Sequence, residues 1–180
     1  MSAKVNRSVT IHQGKILKMV SENITLANGV SLDIAIIRHP GASAIIPLSD
    51  KNTVILLKQY RHAIGDYIWE IPAGTFKPNE EAIVCAQREL AEETGYLANE
   101  WQKLGEIMPL PGYSDERIHL FLAMDLVLTD QNLDRDEMLD VHEIEIDNAL
   151  KMIYQGDIQD SKTISGIFMA IQWFEQKGIH

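Results

Sequence analysis

Residues 9–38 contain apolar segments rich in β-branched side chains, a pattern typical of β-strands. Strands are predicted at residues 9–11, 15–26 and 31–38. Asn28-Gly29 predicts a tight hairpin turn in which both residues take positive φ. Because Pro40-Gly41 interrupts the pattern, we expect a small antiparallel β lobe at residues 1–39 and a main domain at residues 40–180.

From residue 42 onward, strand-like apolar segments are mixed with segments of helical periodicity. Strands are predicted at residues 43–48, 53–59, 67–71, 104–108, 118–128 and 141–146, and helices at residues 79–94, 147–154 and 161–176. Asn79 is expected to cap the first helix, and Gly95 to end it. This mixture predicts an α/β fold, a sandwich with helices outside a mixed sheet.

Composition and charge narrow the class of protein. The 180 residues carry a net charge of −10, which argues against a nucleic-acid surface because such a surface needs a basic stripe. The apolar runs are too short to span a bilayer and the N-terminus lacks the apolar segment of a signal peptide, so we expect a cytoplasmic protein without a membrane partner. The single cysteine, Cys85, excludes an internal disulfide and fits a reducing compartment.

Three carboxylates in the first predicted helix are candidates for chemistry. Glu89, Glu92 and Glu93 stand at positions i, i+3 and i+4, so they share one helix face. One interpretation is a solvated acidic face. The other is a site for a hard divalent cation, since Mg²⁺ takes oxygen ligands and is usually held by one or two carboxylates together with substrate phosphates.

The residues around these glutamates favour the metal site. The spacing G-x5-E-x7-R-E-U-x-E-E-x-G-U, in which U is bulky and apolar, is matched by Gly74, Glu80, Arg88, Glu89, Leu90, Glu92, Glu93, Gly95 and Tyr96. This is the Nudix box, and the sequence resembles the Nudix hydrolase family, although the family usually has a smaller aliphatic residue at the last position. The resemblance implies a Nudix-type α/β/α sandwich with a mixed sheet, preceded here by the β lobe.

The resemblance also implies roles for the matched residues. The implied metal ligands are the carboxylates of Glu89, Glu92 and Glu93 and the backbone carbonyl of Ala73. Arg88 matches the arginine that orients the glutamates, Glu80 matches a supporting glutamate, and Gly74 is expected to free the backbone for a turn. The implied reaction is attack of water on a diphosphate, with Mg²⁺ or Mn²⁺ as cofactor and with Glu92 and Arg88 among the catalytic residues.

Flanking motifs resemble the ADP-ribose pyrophosphatase branch of this family. They are Gln59-Tyr60-Arg61, residues 69–74, residues 111–116 and residues 156–163. Pro111 follows Gly95 by sixteen residues, the separation that marks the branch. The resemblance therefore implies hydrolysis of a nucleoside diphosphate sugar, with ADP-ribose giving AMP and ribose 5-phosphate.

Three side chains in the flanking motifs are candidates for substrate binding. Arg61 is interpreted as a bidentate phosphate clamp, with a surface ion pair as the alternative. Glu116 is a candidate for binding a ribose hydroxyl or, through water, a metal. Trp69 belongs either to the core or to the pocket wall, where adenine could stack on it. Lys162 is not among these three. It is interpreted as an ordinary residue of the helix end, although the helix dipole disfavours a cation at an N-terminus.

The general base must come from another segment, because a metal-bound carboxylate is a poor base. In the resembling branch, a loop before the strand at residues 141–146 brings a glutamate over the metals. Glu137 is the first match and Asp136 the second, with Glu116 as a further candidate. The alternative is a solvated loop carboxylate.

Other functions remain as alternatives. The substrate could be GDP-mannose, another sugar nucleotide or a nucleoside triphosphate. A sensor that binds ADP-ribose without cleaving it is disfavoured, because every carboxylate of the box is present. The resemblance further implies a homodimer in which the N-terminal lobe reaches across to the partner and helps to form its adenine pocket.

Overall fold

The computed structural model describes residues 2–49, 52–133, 135 and 137–178. The chain forms two compact units, Met1–Gly41 with Met108–Arg117 and Ala42–Ile107 with Ile118–His180. The sequence pattern placed residues 108–117 in the main domain, whereas here they group with the N-terminal lobe. A functional division near residue 40 stays a prediction. Within the described residues, no helix is long and apolar enough to cross a membrane.

The first unit contains a three-stranded antiparallel sheet with β2 at its centre. Its strands are β1 (Lys4–Gln13), β2 (Lys18–Thr25) and β3 (Ser31–Arg38). The turn between β2 and β3 differs from the predicted one, because Gly29 takes positive φ (83°) and Asn28 does not. The longer loop between Leu26 and Val30, which are joined by a backbone hydrogen bond, needs one left-handed residue instead of two.

The segment Met108–Arg117 is attached to β3 by backbone and side-chain bonds. Ile37 N–H donates to the carbonyl of Tyr113 at 2.8 Å. Arg38 donates to Asp115 at 3.0 Å and to Glu22 of β2 at 2.7 Å, so one guanidinium bridges two carboxylates. These contacts account for the grouping of the segment with the lobe.

The second unit contains two sheets and the helices. A four-stranded mixed sheet has the order β7-β4-β9-β8, and a three-stranded antiparallel sheet has the order β10-β5-β6. The strands are β4 (Ala42–Pro47), β5 (Thr53–Arg61), β6 (Asp66–Glu70), β7 (Ala73–Thr75), β8 (Tyr96–Ile107), β9 (Ile118–Leu128) and β10 (Leu139–Glu145). The helices are α1 (Ala82–Thr94), α2 (Ile146–Gln155) and α3 (Ser161–Lys177).

The alternation of side chains along β4 places helices on both faces of the mixed sheet. Ile45 belongs to an apolar cluster with Ala86 and Leu90 of α1. The next residue, Ile46, belongs to the larger cluster, which includes Ile167 of α3 and Leu56 of β5. The predicted α/β/α sandwich with a mixed sheet is therefore confirmed.

Helix α1 starts later than its sequence predicts. Glu81 is the N-cap residue, and Asn79 instead takes a left-handed φ of 62° in the preceding turn. Asparagine tolerates that conformation well, so the prediction of Asn79 as the cap was wrong. The prediction for Gly95 is confirmed, since it ends the helix with φ 70° and donates its N–H to the carbonyl of Ala91.

Candidate active site

Two glutamates of α1 are buried beside strand β7. Glu89 and Glu93 have relative exposures of 7% and 2%, whereas the side chain of Glu92 is 34% exposed. Residues four apart lie one above the other on a helix, so the buried pair forms one acidic ridge. Burial of carboxylates is costly, and this ridge is therefore unlike an ordinary solvated acidic face.

Gly74 in β7 makes room for Glu89. A β-carbon at position 74 would overlap the carboxylate of Glu89, which is its nearest neighbour. Gly74 does not adopt positive φ, so the expectation that it frees the backbone for a turn was wrong. Glycine is required here because a side chain approaches the strand backbone.

Arg88 connects the glutamates of the box. Its guanidinium holds both carboxylate oxygens of Glu80 at 2.8 Å, a bidentate pair. Its Nη1 also donates to Glu89 at 2.6 Å and to Glu92 at 2.9 Å. The hydrogen bonds from Arg88 lower the pKa of Glu80 to about 2. The orienting role that the resemblance implies for Arg88 matches these contacts.

Strand β7 meets the second buried glutamate through its backbone. Ala73 N–H donates to Oε2 of Glu93 at 2.8 Å. The residue whose carbonyl is predicted as a metal ligand is thus in direct contact with a predicted carboxylate ligand. The N–H bond fixes one oxygen of Glu93 against the strand.

The two buried carboxyl groups both have raised pKa values. Burial is the main cause for Glu93, whose pKa is raised well above its usual value, and the negative charge of Glu89 raises it further. For Glu89, burial raises the pKa, Arg88 opposes this shift, and the charge of Glu92 adds to it. Charged carboxylates in this arrangement repel each other, and a bound cation would relieve the repulsion.

Glu137, the predicted general base, lies within electrostatic range of this pair. Its charge contributes to the raised pKa values of both Glu89 and Glu93. The chain leading to it is fastened to the C-terminal end of α1, where Asn132 N–H donates to the carbonyl of Glu92 and Gln131 donates to that of Glu93. Asp136, the second candidate, lies outside the described residues.

Arg61 stands at the end of β5, within electrostatic range of Glu93. Its charge opposes the rise in the pKa of Glu93 that burial causes, and its Nε donates to Glu70 at 2.7 Å. The side chain remains 41% exposed. The structure thus contains the ion pair that was the alternative for Arg61, and it also leaves the guanidinium accessible.

The remaining candidates lie in other surroundings. Trp69 packs edge-on against His142 and below the ammonium group of Lys58, 4.8 Å from the ring centre. Neighbouring residues of a strand point to opposite faces of the sheet, so the side chains of Trp69 and Glu70 lie on opposite faces of β6. Glu116 lies in the first unit, where its carboxylate is 3.7 Å from Nδ1 of His39. Cys85 is buried as expected, and burial raises the pKa of its thiol to about 11.

The donor set of the site fits a hard divalent cation. It supplies clustered carboxylate oxygens, the ligands that Mg²⁺ and Mn²⁺ prefer, and the repulsion between Glu89 and Glu93 favours a cation. Among the described residues, no group of three His, Cys, Asp or Glu side chains is already arranged as a metal centre. Arg88 or the Ala73 N–H holds one oxygen of each of these three carboxylates, and an ionised carboxylate has further lone pairs with which it could bind a cation.

Glu70 is a site residue to which the sequence assigns no role. It is 4% exposed and binds Arg61 and Lys162 through different oxygens. The signal in the sequence is a carboxylate inside the predicted apolar strand at residues 67–71. The distant partner, Lys162, is not visible in any local pattern.

The sequence profile described as the NUDIX domain matches residues 37–164. This range covers more than half of the chain and includes the complete box on β7 and α1. The chain therefore belongs to the Nudix family.

Relatives with established names match most of the chain. The ADP-ribose pyrophosphatase of Bacillus subtilis is 37% identical over 93% of this chain and 89% of its own length. The methanol dehydrogenase activator of Bacillus methanolicus is 36% identical, with coverages of 96% and 92%. The GDP-mannose pyrophosphatase of Escherichia coli is 31% identical, with coverages of 89% and 93%.

A solved structure shares the fold. It is the crystal structure of an ADP compounds hydrolase, with a TM-score of 0.88 over 100% of this chain and 98% of that chain. The sequence identity is 21%, so this likeness concerns the fold.

Proposed function

We propose that this chain hydrolyses the diphosphate of a nucleoside diphosphate sugar, with ADP-ribose as substrate and AMP and ribose 5-phosphate as products. The observation that carries the proposal is the buried pair Glu89 and Glu93 within a complete Nudix box. Family membership supports the type of reaction. The name of the Bacillus subtilis relative, an ADP-ribose pyrophosphatase at 37% identity, supports the substrate.

The proposed cofactor is Mg²⁺, with Mn²⁺ as a substitute. Its proposed ligands are the carboxylates of Glu89, Glu92 and Glu93 and the carbonyl of Ala73. When bound, the metal would neutralise the diphosphate, polarise the phosphoryl oxygens and lower the pKa of the attacking water. Arg88 is proposed to keep Glu89 and Glu92 in place while its bidentate bond to Glu80 anchors its own guanidinium.

Glu137 is the proposed general base. A base must come within hydrogen-bond reach of the water whose proton it accepts, and the electrostatic influence of Glu137 on Glu89 and Glu93 supports its proximity to the site. The ligand carboxylates are less suited, because their lone pairs would be engaged by metal. Asp136 and Glu116 remain the alternative bases.

Arg61 is the proposed phosphate-binding residue. Its exposed guanidinium and its electrostatic attraction to Glu93 support a place beside the diphosphate. Trp69 and Glu116 remain proposals for contacts with the nucleoside and the ribose. The contacts of Trp69 with Lys58 and His142 also fit a role in packing.

The N-terminal lobe, residues 1–39, is proposed to mediate a homodimer and to complete the partner's adenine pocket. All ten residues of β1 are exposed, among them Val5, Val9 and Ile11. Exposed apolar side chains on an edge strand are typical of an interaction surface. A cytoplasmic location is also proposed, on the basis of the sequence.

A substrate panel tests this function. Purified protein with Mg²⁺ is incubated with ADP-ribose, GDP-mannose, other sugar nucleotides and nucleoside triphosphates, and kcat/KM is measured for each. ADP-ribose should have the highest value. The Escherichia coli relative makes GDP-mannose the second candidate, and a preference for it would overturn the substrate assignment. Tight binding of ADP-ribose without hydrolysis would favour the sensor alternative.

A further inference from the structure

Glu70 is a buried carboxylate that binds one exposed and one buried cation. Its Oε2 accepts from Nε of Arg61 at 2.7 Å, and its Oε1 accepts from Nζ of Lys162 at 2.6 Å. Arg61 and Glu70 come from the paired strands β5 and β6, whereas Lys162 comes from the first turn of α3. Both oxygens of Glu70 are therefore fixed in direction.

Lys162, which binds Glu70, is itself held by a second carboxylate. Lys162, 8% exposed, also donates to Asp160 at 3.1 Å. Asp160 caps α3 by accepting from the N–H and the hydroxyl of Thr163. Thr163 in turn accepts from Ile71 N–H at 2.9 Å, next to Glu70 in the chain. The bonds form a closed ring, Glu70–Lys162–Asp160–Thr163–Ile71.

A purely structural tie between β6 and α3 does not account for these charges. The hydrogen bond between Ile71 and Thr163, together with apolar packing, already joins the two elements. Buried ion pairs often contribute little net stability, because desolvation offsets the attraction. A lysine in the first turn of a helix is also opposed by the helix dipole. Arg61, at the exposed end of this network, gives these charges a role beyond stability.

The bond at Nε leaves the outer edge of the Arg61 guanidinium available. In the part of the chain that the structure describes, the guanidinium makes no hydrogen bond besides the one to Glu70. Its two terminal nitrogens can therefore bind phosphate oxygens in the forked geometry that arginine favours. A flexible arginine would lose more conformational entropy when it binds substrate, and the Nε bond reduces this loss.

We propose that Glu70 is a positioning residue that holds Arg61 in the orientation for binding the diphosphate, and that Lys162 fixes Glu70 for this task. The inference rests on the proposed function and deepens it, because it explains how the phosphate-binding arginine is held in the right orientation before substrate binds. Neither Glu70 nor Lys162 touches substrate. Both act through Arg61.

A double-mutant cycle tests the positioning role. Arg61→Ala should lower kcat/KM for ADP-ribose by about 10²-fold, and Glu70→Gln by about 10-fold, mainly through KM, since phosphate binding operates in ground and transition states alike. In the Arg61→Ala background, Glu70→Gln should cause almost no further loss, because residues that act as a unit are not additive. If Glu70 had only a structural role, the losses of the two single variants would add in the double variant.

Lysine variants provide a second cycle in case Glu70→Gln does not fold. Lys162→Met should lower kcat/KM several-fold, again without a further effect in Arg61→Ala, whereas Lys162→Arg should preserve most of the activity. Glu143→Gln is the matched control, since this exposed β10 carboxylate accepts a bond from Tyr96 alone among the contacts of its side chain that the structure describes. It should match the wild type.

The outcomes separate this proposal from the proposed function. Wild-type hydrolysis with additive losses, or with an unaffected Glu70→Gln enzyme, would overturn the positioning role alone. If the wild type cleaves no member of the panel, the proposed function fails, and the same cycle is run on the dissociation constant for ADP-ribose in EDTA. Non-additive weakening there would support the positioning role. Additive weakening, or no binding by the wild type, would overturn it.

Discussion

The carboxylate of Glu89 occupies the space that a β-carbon at position 74 would need. The size of the residue at position 74 therefore determines whether Glu89 can occupy its observed position. Glu89 has little freedom to move away, because it is buried and Arg88 holds it at 2.6 Å. Strand β7 and helix α1 can approach this closely only with glycine at the contact.

Gly74→Ala should displace the Glu89 carboxylate and lower kcat by about 10²-fold, in the range seen when groups supporting a metal site are changed. The fold should persist, since the apolar clusters are untouched. Gly105→Ala is a useful control, because its added methyl would meet the mobile end of Met169. Steady-state kinetics and thermal melts of both variants check this. Wild-type activity in Gly74→Ala would show that the close approach of Gly74 and Glu89 is not needed for catalysis.

The ion pairs in the first unit predict a pH dependence. The bond from Arg38 lowers the pKa of Glu22 below its ordinary value of 4.5. Burial acts to raise the pKa of Asp115, but the His39 N–H and Arg38 outweigh it, so this pKa is also lowered from 3.8. A carboxyl group with a lowered folded-state pKa stabilises the fold above its unfolded-state pKa, and this contribution is lost as the pH falls through the folded value.

Hydrogen exchange at the Ile37 amide, which is bonded to Tyr113, reports on this local stability. Its protection should fall as the pH drops from about 5 to below 4, after correction for intrinsic exchange. Arg38→Met should remove most of this dependence, whereas Arg7→Met on the exposed β1 should retain it. An unchanged profile in Arg38→Met would contradict the account.

Strand β1 provides a test of the proposed dimer. Val9 and Ile11 are 48% and 55% exposed. Replacing both with lysine should convert a homodimer into a monomer and raise KM for ADP-ribose, because the partner's lobe would no longer complete the pocket. Thr10→Lys, at an exposed polar position of the same strand, is the control. Analytical ultracentrifugation measures the oligomeric state of each protein. A monomeric wild type would contradict the proposed dimer.

Glu137→Gln should lower kcat by ~10²–10⁴-fold with little change in KM, because a general base acts mainly in the transition state. The same kinetics for Asp136→Asn and Glu116→Gln discriminate between the candidates. Loss of activity in one of those variants, with Glu137→Gln unaffected, would reassign the base. Full activity in all three would mean that no protein base is needed.

Local periodicity predicted much of the fold, and its failures have physical causes. Helix α3 and strands β5 and β9 have regular apolar patterns and were predicted close to their observed limits. The first two thirds of β8 were missed, since their exposed and part-buried residues do not alternate regularly. Strand β7 has three residues, too few for any periodicity to be visible.

The candidate site was also only partly predictable from the sequence. The glutamates of α1 could be placed on one helix face because spacing along a helix fixes direction. The contact between Gly74 and Glu89 depends on how a strand packs on a helix, which no local pattern contains. Glu70 and Lys162 are separated by 92 positions in sequence, so their pairing requires the tertiary fold.

The central claim is that the buried carboxylates Glu89 and Glu93 serve diphosphate hydrolysis. The most direct measurement is product analysis by mass spectrometry after incubation of ADP-ribose and Mg²⁺ with the wild type, Glu89→Gln or Glu93→Gln. The wild type should yield AMP and ribose 5-phosphate, and each variant should turn over at least ~10²-fold more slowly. In EDTA, Glu93→Gln should melt no lower than the wild type at neutral pH, because it removes a charge whose raised pKa opposes folding there. Intact ADP-ribose with the wild type, or wild-type turnover by both variants, would contradict the claim.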